Sequence, residues 1–391
     1  MRIGEKNTIP GGKNVILLGI VSFLNDLSSE MIIPILPVFI KLLGGGGIEI
    51  GLIAGLRDSV SSLLNVISGY LSDKTGKRKV FVCSGYLTSA IFKLLLSFSS
   101  KWQHVLLFTS LERVGKGIRT SPRDSILSES MPREKGKGFG IHRAFDEAGA
   151  ILGTISAFIL FWFFDIGLSS IIFIAAIISF SSILPLYLVR EKKRKPIDTT
   201  LRINLRRLSR ELRVFILISG IFALANFSYM FFILRVEESL TGKFAIAVPI
   251  LLYALFKTFK VMFSIPFGII SDRIGRKRII ILGYALFSFT CLGFAYLNSL
   301  LAFLILFSVY GIADAIIDGN QRAYVSDLSK ERVRSTALGT FHTVNGIMTL
   351  PSSVIAGFLW NISHEMTFIY GGIMSLIAVL FLLTIFRREN R

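Results

Sequence analysis

Asp26 and Glu30 stand four residues apart in an otherwise apolar run and share one helix face, and Asp314 and Asp318 repeat that spacing. Two carboxylates on one face repel, which favours holding a proton near neutral pH; the same oxygens also suit a divalent cation. Other ionisable residues interrupt apolar stretches in the same way: Arg57 and Asp58, Lys93, Glu112, Arg113 and Lys116, then Arg143, Asp146 and Glu147. Further along come Asn226 and Tyr229, Lys257 and Lys260, and His342 with Asn345. An ionisable group deep in a bilayer is costly and marks a functional site by default. Acids and bases are mixed here, so most must pair or line water. For Asp26, Glu30, Asp146 and Glu147 two roles stand open. One is a buried ion pair with Arg57, Arg113 or Arg143; the other is a direct part in coupling or substrate binding. His342 has an ordinary titration range near neutrality, although a single histidine at helical depth is more often a hydrogen-bonded core residue. His104, His142 and His364 do not fall at metal-ligand spacing with cysteine, so no resident metal or cofactor is expected.

The elements that carry these groups follow from composition and run length. The chain has 391 residues, 52% hydrophobic and 18% charged, with a mean hydropathy of +0.65. That excludes disorder, and two cysteines, Cys83 and Cys291, exclude a disulfide scaffold. About 20 apolar residues cross a bilayer, and such runs recur from end to end. Broken at polar turns, they predict twelve transmembrane helices over 14–41, 48–71, 79–99, 103–123, 138–163, 168–190, 213–236, 244–270, 278–297, 300–322, 336–361 and 366–387. Pro34 and Pro37 predict a kink in the first span, and Pro266 and Pro351 similar shaping later. The net charge of +19 is topological. Basic residues gather at Lys74–Lys79, Arg133, Lys135 and Lys137, Arg190–Arg213, Arg273–Arg278, Lys330, Arg332 and Arg334, and the terminal Arg387, Arg388 and Arg391. The opposite side holds little more than Lys41, Lys101 and Lys243. Basic loops stay in the cytoplasm, so both termini are expected inside the plasma membrane and no nucleic-acid partner is expected. The first run carries Asn25, Asp26 and Glu30 without a following cleavage site, and reads as a retained span. The polar stretch 191–212 reads as a cytoplasmic linker between two halves, 1–190 and 213–391.

Those halves repeat each other. Gly69-Tyr-Leu-Ser-Asp73-Lys-Thr-Gly76-Lys-Arg78-Lys79 returns as Gly268-Ile-Ile-Ser-Asp272-Arg-Ile-Gly275-Arg276-Lys-Arg278, displaced by 199 residues. Arg123 recurs as Arg322, Arg143 corresponds to His342 and Asp146 to Asn345, all at the same offset. The second half thus keeps fewer charges, and proton coupling is expected in the first. Gly69 and Gly268 allow close helix approach, Gly76 and Gly275 a tight turn. Asp73 and Asp272, at the cytoplasmic ends of spans two and eight, can meet a helix N-terminus or a basic side chain.

A G-x-x-x-D-[RK]-x-G-[RK]-[RK] loop present twice, in equivalent places within twelve spans, resembles the signature loop of the major facilitator superfamily. Arg113-Val-Gly-Lys116-Gly117 is similar to that family's second signature, in span four. The resemblance covers the whole chain. It implies an all-α membrane protein built as two pseudo-symmetric six-helix bundles, working as a monomer by alternating access. It also implies that Asp73, Arg78, Asp272 and Arg276 form a conformational latch, and it makes Arg113 the foremost coupling residue, since a guanidinium biases a neighbouring carboxylate's hold on its proton. The string from Glu112 through Gly153 resembles prokaryotic members associated with efflux of small molecules or metal ions. Gly149-Ala-Ile-Leu-Gly153 lacks the proline of the drug/proton antiporter signature, a departure from that subgroup.

No phosphate-binding loop, G-x-S-x-G, H-E-x-x-H or C-x-x-C occurs, so an ATP-driven pump or an enzyme has no motif to rest on. The repeat favours rocking about a midplane site over a channel. The expectation is a secondary transporter of a small solute, with proton-coupled export of a small molecule or metal cation ahead of uptake or facilitated transport of an anionic metabolite or metal chelate. Lys93, Lys116, Lys257 and Lys260 motivate the second of these. A transporter-like receptor stands third.

Overall fold

In the computed structural model, the structure describes residues 11–132, 134–191, 208–329 and 334–389. The chain is helical: α1 Gly11–Ile32, α2 Leu36–Leu42, α3 Gly47–Thr75, α4 Arg78–Ser97, α5 Trp102–Ser130, α6 Lys135–Trp162 and α7 Leu168–Ser181 make up its first part. After a short 3-10 turn at Leu184–Leu188 come α8 Arg210–Ala225, α9 Met230–Glu238, α10 Phe244–Ile274 and α11 Arg276–Tyr296. The last three are α12 Leu300–Asp327, α13 Arg334–Ile362 and α14 His364–Glu389. Each expected span finds its helix. Four of the helices run further than hydropathy suggests at the end bearing the signature or its equivalent, to Thr75, Ser130, Ile274 and Asp327. Among the described residues, eleven helical stretches are long and apolar enough to cross a membrane. The twelfth expected span, α5, has the length but carries Glu112, Arg113, Lys116, Arg119, Arg123, Asp124 and Glu129. Arg133, Lys330, Arg332, Arg391 and the linker between 192 and 207 lie outside the described residues.

Spans one and seven are both broken. A turn at 33–35 separates α1 from α2, which takes Pro37 into its first turn, where the missing N–H costs nothing. The second break runs from Asn226, the C-cap of α8, to Tyr229, the N-cap of α9, with no proline involved.

Two compact units emerge. Unit 1 comprises 1–33 and 60–201, unit 2 comprises 34–59 and 202–391, so the partition passes through the break in span one and the middle of α3. In unit 1, α1 lies against α6 and α7, and α4 against α5 and α7. Gly149 and Gly153 of α6 sit on the Phe23 and Leu27 carbonyls of α1, where a methyl group would collide. This close approach presses the charged faces of α1 and α6 together. Unit 2 is held by aromatics. Phe222 stacks on Tyr284 at 3.8 Å, and Phe231 and Phe232, both fully buried, pack on Trp360 and Phe294. Those phenylalanines belong to the core.

Within unit 2, α3 meets α13 along a seam of small residues. Gly47, Gly51 and Gly55, spaced by four, face Gly357, Ser353 and Leu350. The backbone N–H of Gly47 donates to Asn361 Oδ1 at 3.0 Å, and Ser59 Oγ donates to the Gly346 carbonyl at 2.6 Å. Glycines at this spacing let two backbones touch.

Candidate functional site

Unit 1 gathers a polar core from four helices. Asp26 lies within electrostatic reach of Asp146, Lys116, Arg119 and Glu30. Its own contact is short-range: Asn25 Nδ2 donates to Asp26 Oδ1 at 3.2 Å. The surrounding acids each have a cation. Glu112 meets Arg113 Nε at 3.1 Å, Asp124 meets Arg123 Nη2 at 2.9 Å, and His142 Nδ1 lies 3.4 Å from Asp146 Oδ2. Glu147 pairs with Arg143 one helical turn away. Of the ion pairs expected for Asp26, Glu30, Asp146 and Glu147, the structure therefore shows that of Glu147 with Arg143, whereas Asp146 turns to His142 and Arg113 to its neighbour Glu112. The i,i+4 partner on the same helix outcompetes a partner across the bundle because helix geometry already brings the two together.

Lys93 of α4 is fully buried. Its ammonium donates to Ser29 Oγ at 2.9 Å and Ser28 Oγ at 3.0 Å, between α1 and α7. Arg119, also buried, donates to Ser89 Oγ at 2.5 Å and lies 4.4 Å from the centroid of the Tyr86 ring, a cation–π contact. Sequence reading passed over Arg119, and used His142 only to exclude a metal site. Each stands one turn from a residue it did select (Lys116 and Asp146), so helical spacing was the available signal.

Unit 2 presents a different set. Lys260 Nζ binds Asp314 Oδ2 at 2.5 Å, and Arg322 Nη2 binds Asp318 Oδ2 at 2.8 Å. Asp314 and Asp318 thus each face a cation of their own. Lys257 lies 5.4 Å from the Tyr253 ring centroid, and that ring adjoins Tyr229 at 5.3 Å. Asn345 Oδ1 accepts from Ser219 Oγ at 3.3 Å, while Asn226 ends α8. His342 packs edge-on against its neighbour Phe341. Among the described residues, no three of His, Cys, Asp and Glu converge as metal ligands.

The signature loops form two similar ion clusters. Arg78 Nη2 reaches Asp73 Oδ1 at 2.6 Å while its Nη1 reaches Glu129. Arg276 reaches Asp272 Oδ1 at 2.8 Å and Asp327 Oδ2 at 2.5 Å. Glu129 and Asp327 went unnoticed in the sequence, yet each follows its arginine by 51 residues, although the two pairs stand 198 residues apart, one short of the offset of the signature loops. Gly76 (φ 66°) and Gly275 (φ 100°) adopt the left-handed backbone region that opens the turn before each arginine. Glu191 caps the following helix, accepting from the Arg78 and Lys79 backbone N–H groups at 2.6 and 3.1 Å. Gly69 lies directly against Ser121 of α5, but Gly268 faces open space. The expected close approach is therefore made in the first half only, because no neighbouring helix comes within van der Waals reach of α10 at Gly268.

Comparison with known proteins settles what carries these clusters. The family model described as Major Facilitator Superfamily matches residues 18–256 and again 215–391. The chain belongs to the major facilitator superfamily. It is thus a multi-pass membrane transporter of small molecules rather than an enzyme. An MFS-type transporter of Methanocaldococcus jannaschii is 55% identical over 377 residues, covering 95% of each chain. The quinolone resistance protein NorA of Staphylococcus aureus is 26% identical over 142 residues, 36% of each chain. Among solved structures, the nucleoside transporter NupG superposes with a TM-score of 0.81 at 14% identity, over 95% of this chain and 100% of its own. A peptide transporter, POT, in complex with sulfate gives 0.81 at 13% identity, over 99% and 96%. Likeness at that identity shows the superfamily fold: twelve membrane helices in two pseudo-symmetric bundles.

Proposed function

We propose that this superfamily member is a proton-coupled secondary transporter that exports a small organic solute by alternating access, with Asp26 as the carboxylate that exchanges the proton. Asp26 carries the reading. Its carboxyl group lies in the polar core of α1 and α6 and forms no ion pair among the described residues, while Glu112, Asp124, Asp146 and Glu147 around it do. A carboxylate that feels Asp146 and Glu30 on one side and Lys116 and Arg119 on the other changes its neighbours' balance when it takes or loses a proton. Arg113, Arg143, Asp146, Glu147 and Glu30 complete the coupling core. Arg57, Asp58, Asn226, Lys257, Asp314, Asp318, His342 and Asn345 are the substrate-side candidates.

The ion clusters around Arg78 and Arg276 serve as latches, since each arginine ties the end of one helix to the end of another and can release both at once. Export is favoured over uptake by the partial similarity to NorA, a quinolone resistance protein. An organic solute is favoured over a metal cation because, among the described residues, no three of His, Cys, Asp and Glu converge as ligands. Anchoring of an anionic solute by the four lysines, the alternative, is weakened where Lys93 is held by serine hydroxyls and Lys260 by Asp314. The loop charges favour both termini in the cytoplasm, and membership of the superfamily favours a monomer in the plasma membrane.

Proteoliposomes containing a pH dye test the coupling, with norfloxacin, ethidium and benzoate as probes. An inside-acid gradient is expected to drive accumulation of at least one probe with matching proton efflux. Asp26→Asn is expected to abolish gradient-driven accumulation while leaving probe exchange intact. Flux indifferent to the gradient, or coupling that survives Asp26→Asn, rejects the assignment.

A further inference from the structure

We infer that Arg57 anchors an acidic group on the transported solute, so that the solutes of this protein are organic acids or zwitterions bearing a carboxylate. The inference rests on the transport reading above and names its substrate class. Arg57 stands ten residues beyond the first residue of α3, about 15 Å along the helix axis at 1.5 Å per residue. That is near the middle of a hydrocarbon core of about 30 Å. The residue is 5% exposed. Its Nη1 is sealed from solvent and has no hydrogen-bond partner, and among the described residues no acceptor or carboxylate engages any of its nitrogens.

The other buried arginines each have a partner. Arg78 has Asp73 and Glu129, Arg119 has Ser89, and Arg235 donates to the Phe294 carbonyl at 3.1 Å; Arg113 Nε makes no hydrogen bond but lies 3.1 Å from the Glu112 carboxylate. A lysine so placed could discard its proton; a guanidinium cannot. Nor can the helix readily turn to expose it. On either side of Arg57, Gly55 is wedged against Leu350 and Ser59 is bonded to the Gly346 carbonyl. A permanently charged, buried and unpaired fork of donors is complementary to one planar anion, and a carboxylate fits it with two parallel hydrogen bonds. A single guanidinium also suits a monoanion better than a phosphate dianion.

The test compares acids with their neutral counterparts. Purified full-length protein is titrated with benzoate and benzamide, and with norfloxacin and its methyl ester, while thermal stability is followed. Sodium chloride and sodium sulfate at matched ionic strength serve as controls. The expected result is stabilisation by at least one acid and not by its neutral partner. Arg57→Gln should weaken that acid at least about tenfold, and Arg57→Lys should weaken it less, keeping the charge but losing the fork. Proton coupling is read from gradient-driven accumulation and this inference from acid binding in the absence of a gradient, so a failure of the one and a failure of the other give different patterns. If Arg57→Gln does not fold, Arg57→Lys alone decides, since unaltered affinity there removes the need for a guanidinium. Equal response to acid and neutral probes, no response to either acid, stabilisation by chloride or sulfate as strong as by the acids, or a preference that survives Arg57→Gln overturns the inference.

Discussion

At the scale of single residues, the charges of this transporter separate into those the fold has already matched and those it has not. Lys260 and Asp314 are matched: their side chains are 19% and 22% exposed and 2.5 Å apart. Removing one partner leaves the other charge partly buried and alone, at a cost of about 1–3 kcal/mol or more, whereas removing both discards the pair together with its desolvation cost. Lys260→Ala and Asp314→Ala should therefore each lower the melting temperature in detergent, and the double variant should recover most of the loss. A double variant as unstable as the sum of the singles would show that the two groups act independently. Lys93 shows the limit of reading charge from sequence. Its place in an apolar run marks it as a candidate anion ligand, but Ser28 and Ser29, more than 60 residues away in the chain, occupy its donors. No local pattern announces that.

At the scale of helices, the repeat is faithful in sequence but not in packing. Gly69 and Gly268 occupy equivalent positions, yet a methyl group on Gly69 would meet Ser121 Oγ at 2.5 Å, and one on Gly268 would meet nothing within 4 Å. Gly268→Ala is expected to stabilise by about 0.4–1 kcal/mol through reduced freedom of the unfolded helix. Gly69→Ala should destabilise by about 1–3 kcal/mol through overpacking. Opposite shifts in thermal midpoint check this; shifts of the same sign refute the packing asymmetry. The breaks in spans one and seven were half legible: Pro34 and Pro37 mark the first, but the second, at 226–229, has no breaker residue. The glycines at 47, 51 and 55 were readable as a packing stripe by their spacing, although the helix they meet, α13, lies some 300 residues away.

At the scale of the whole molecule, orientation follows from charge. If the basic loops are cytoplasmic, Lys74→Cys and Arg273→Cys in a variant lacking Cys83 and Cys291 should react with a membrane-impermeant maleimide only after the cells are opened. Lys101→Cys and Lys243→Cys should react in intact cells. The reverse pattern would invert the topology and with it the direction assigned to transport.

The sequence by itself determined that this chain spans a membrane about twelve times, that its halves are duplicated, and that it belongs with the major facilitators. Those are properties of hydropathy, helical period and motif spacing, all counted along the chain. Only the tertiary structure decided that Arg78 bridges Asp73 and Glu129, that Asp314 and Asp318 take separate cations, and that Arg57 is left with none. Helical periodicity assigns a side chain to a face, but the neighbour that the face meets depends on how helices far apart in sequence come together.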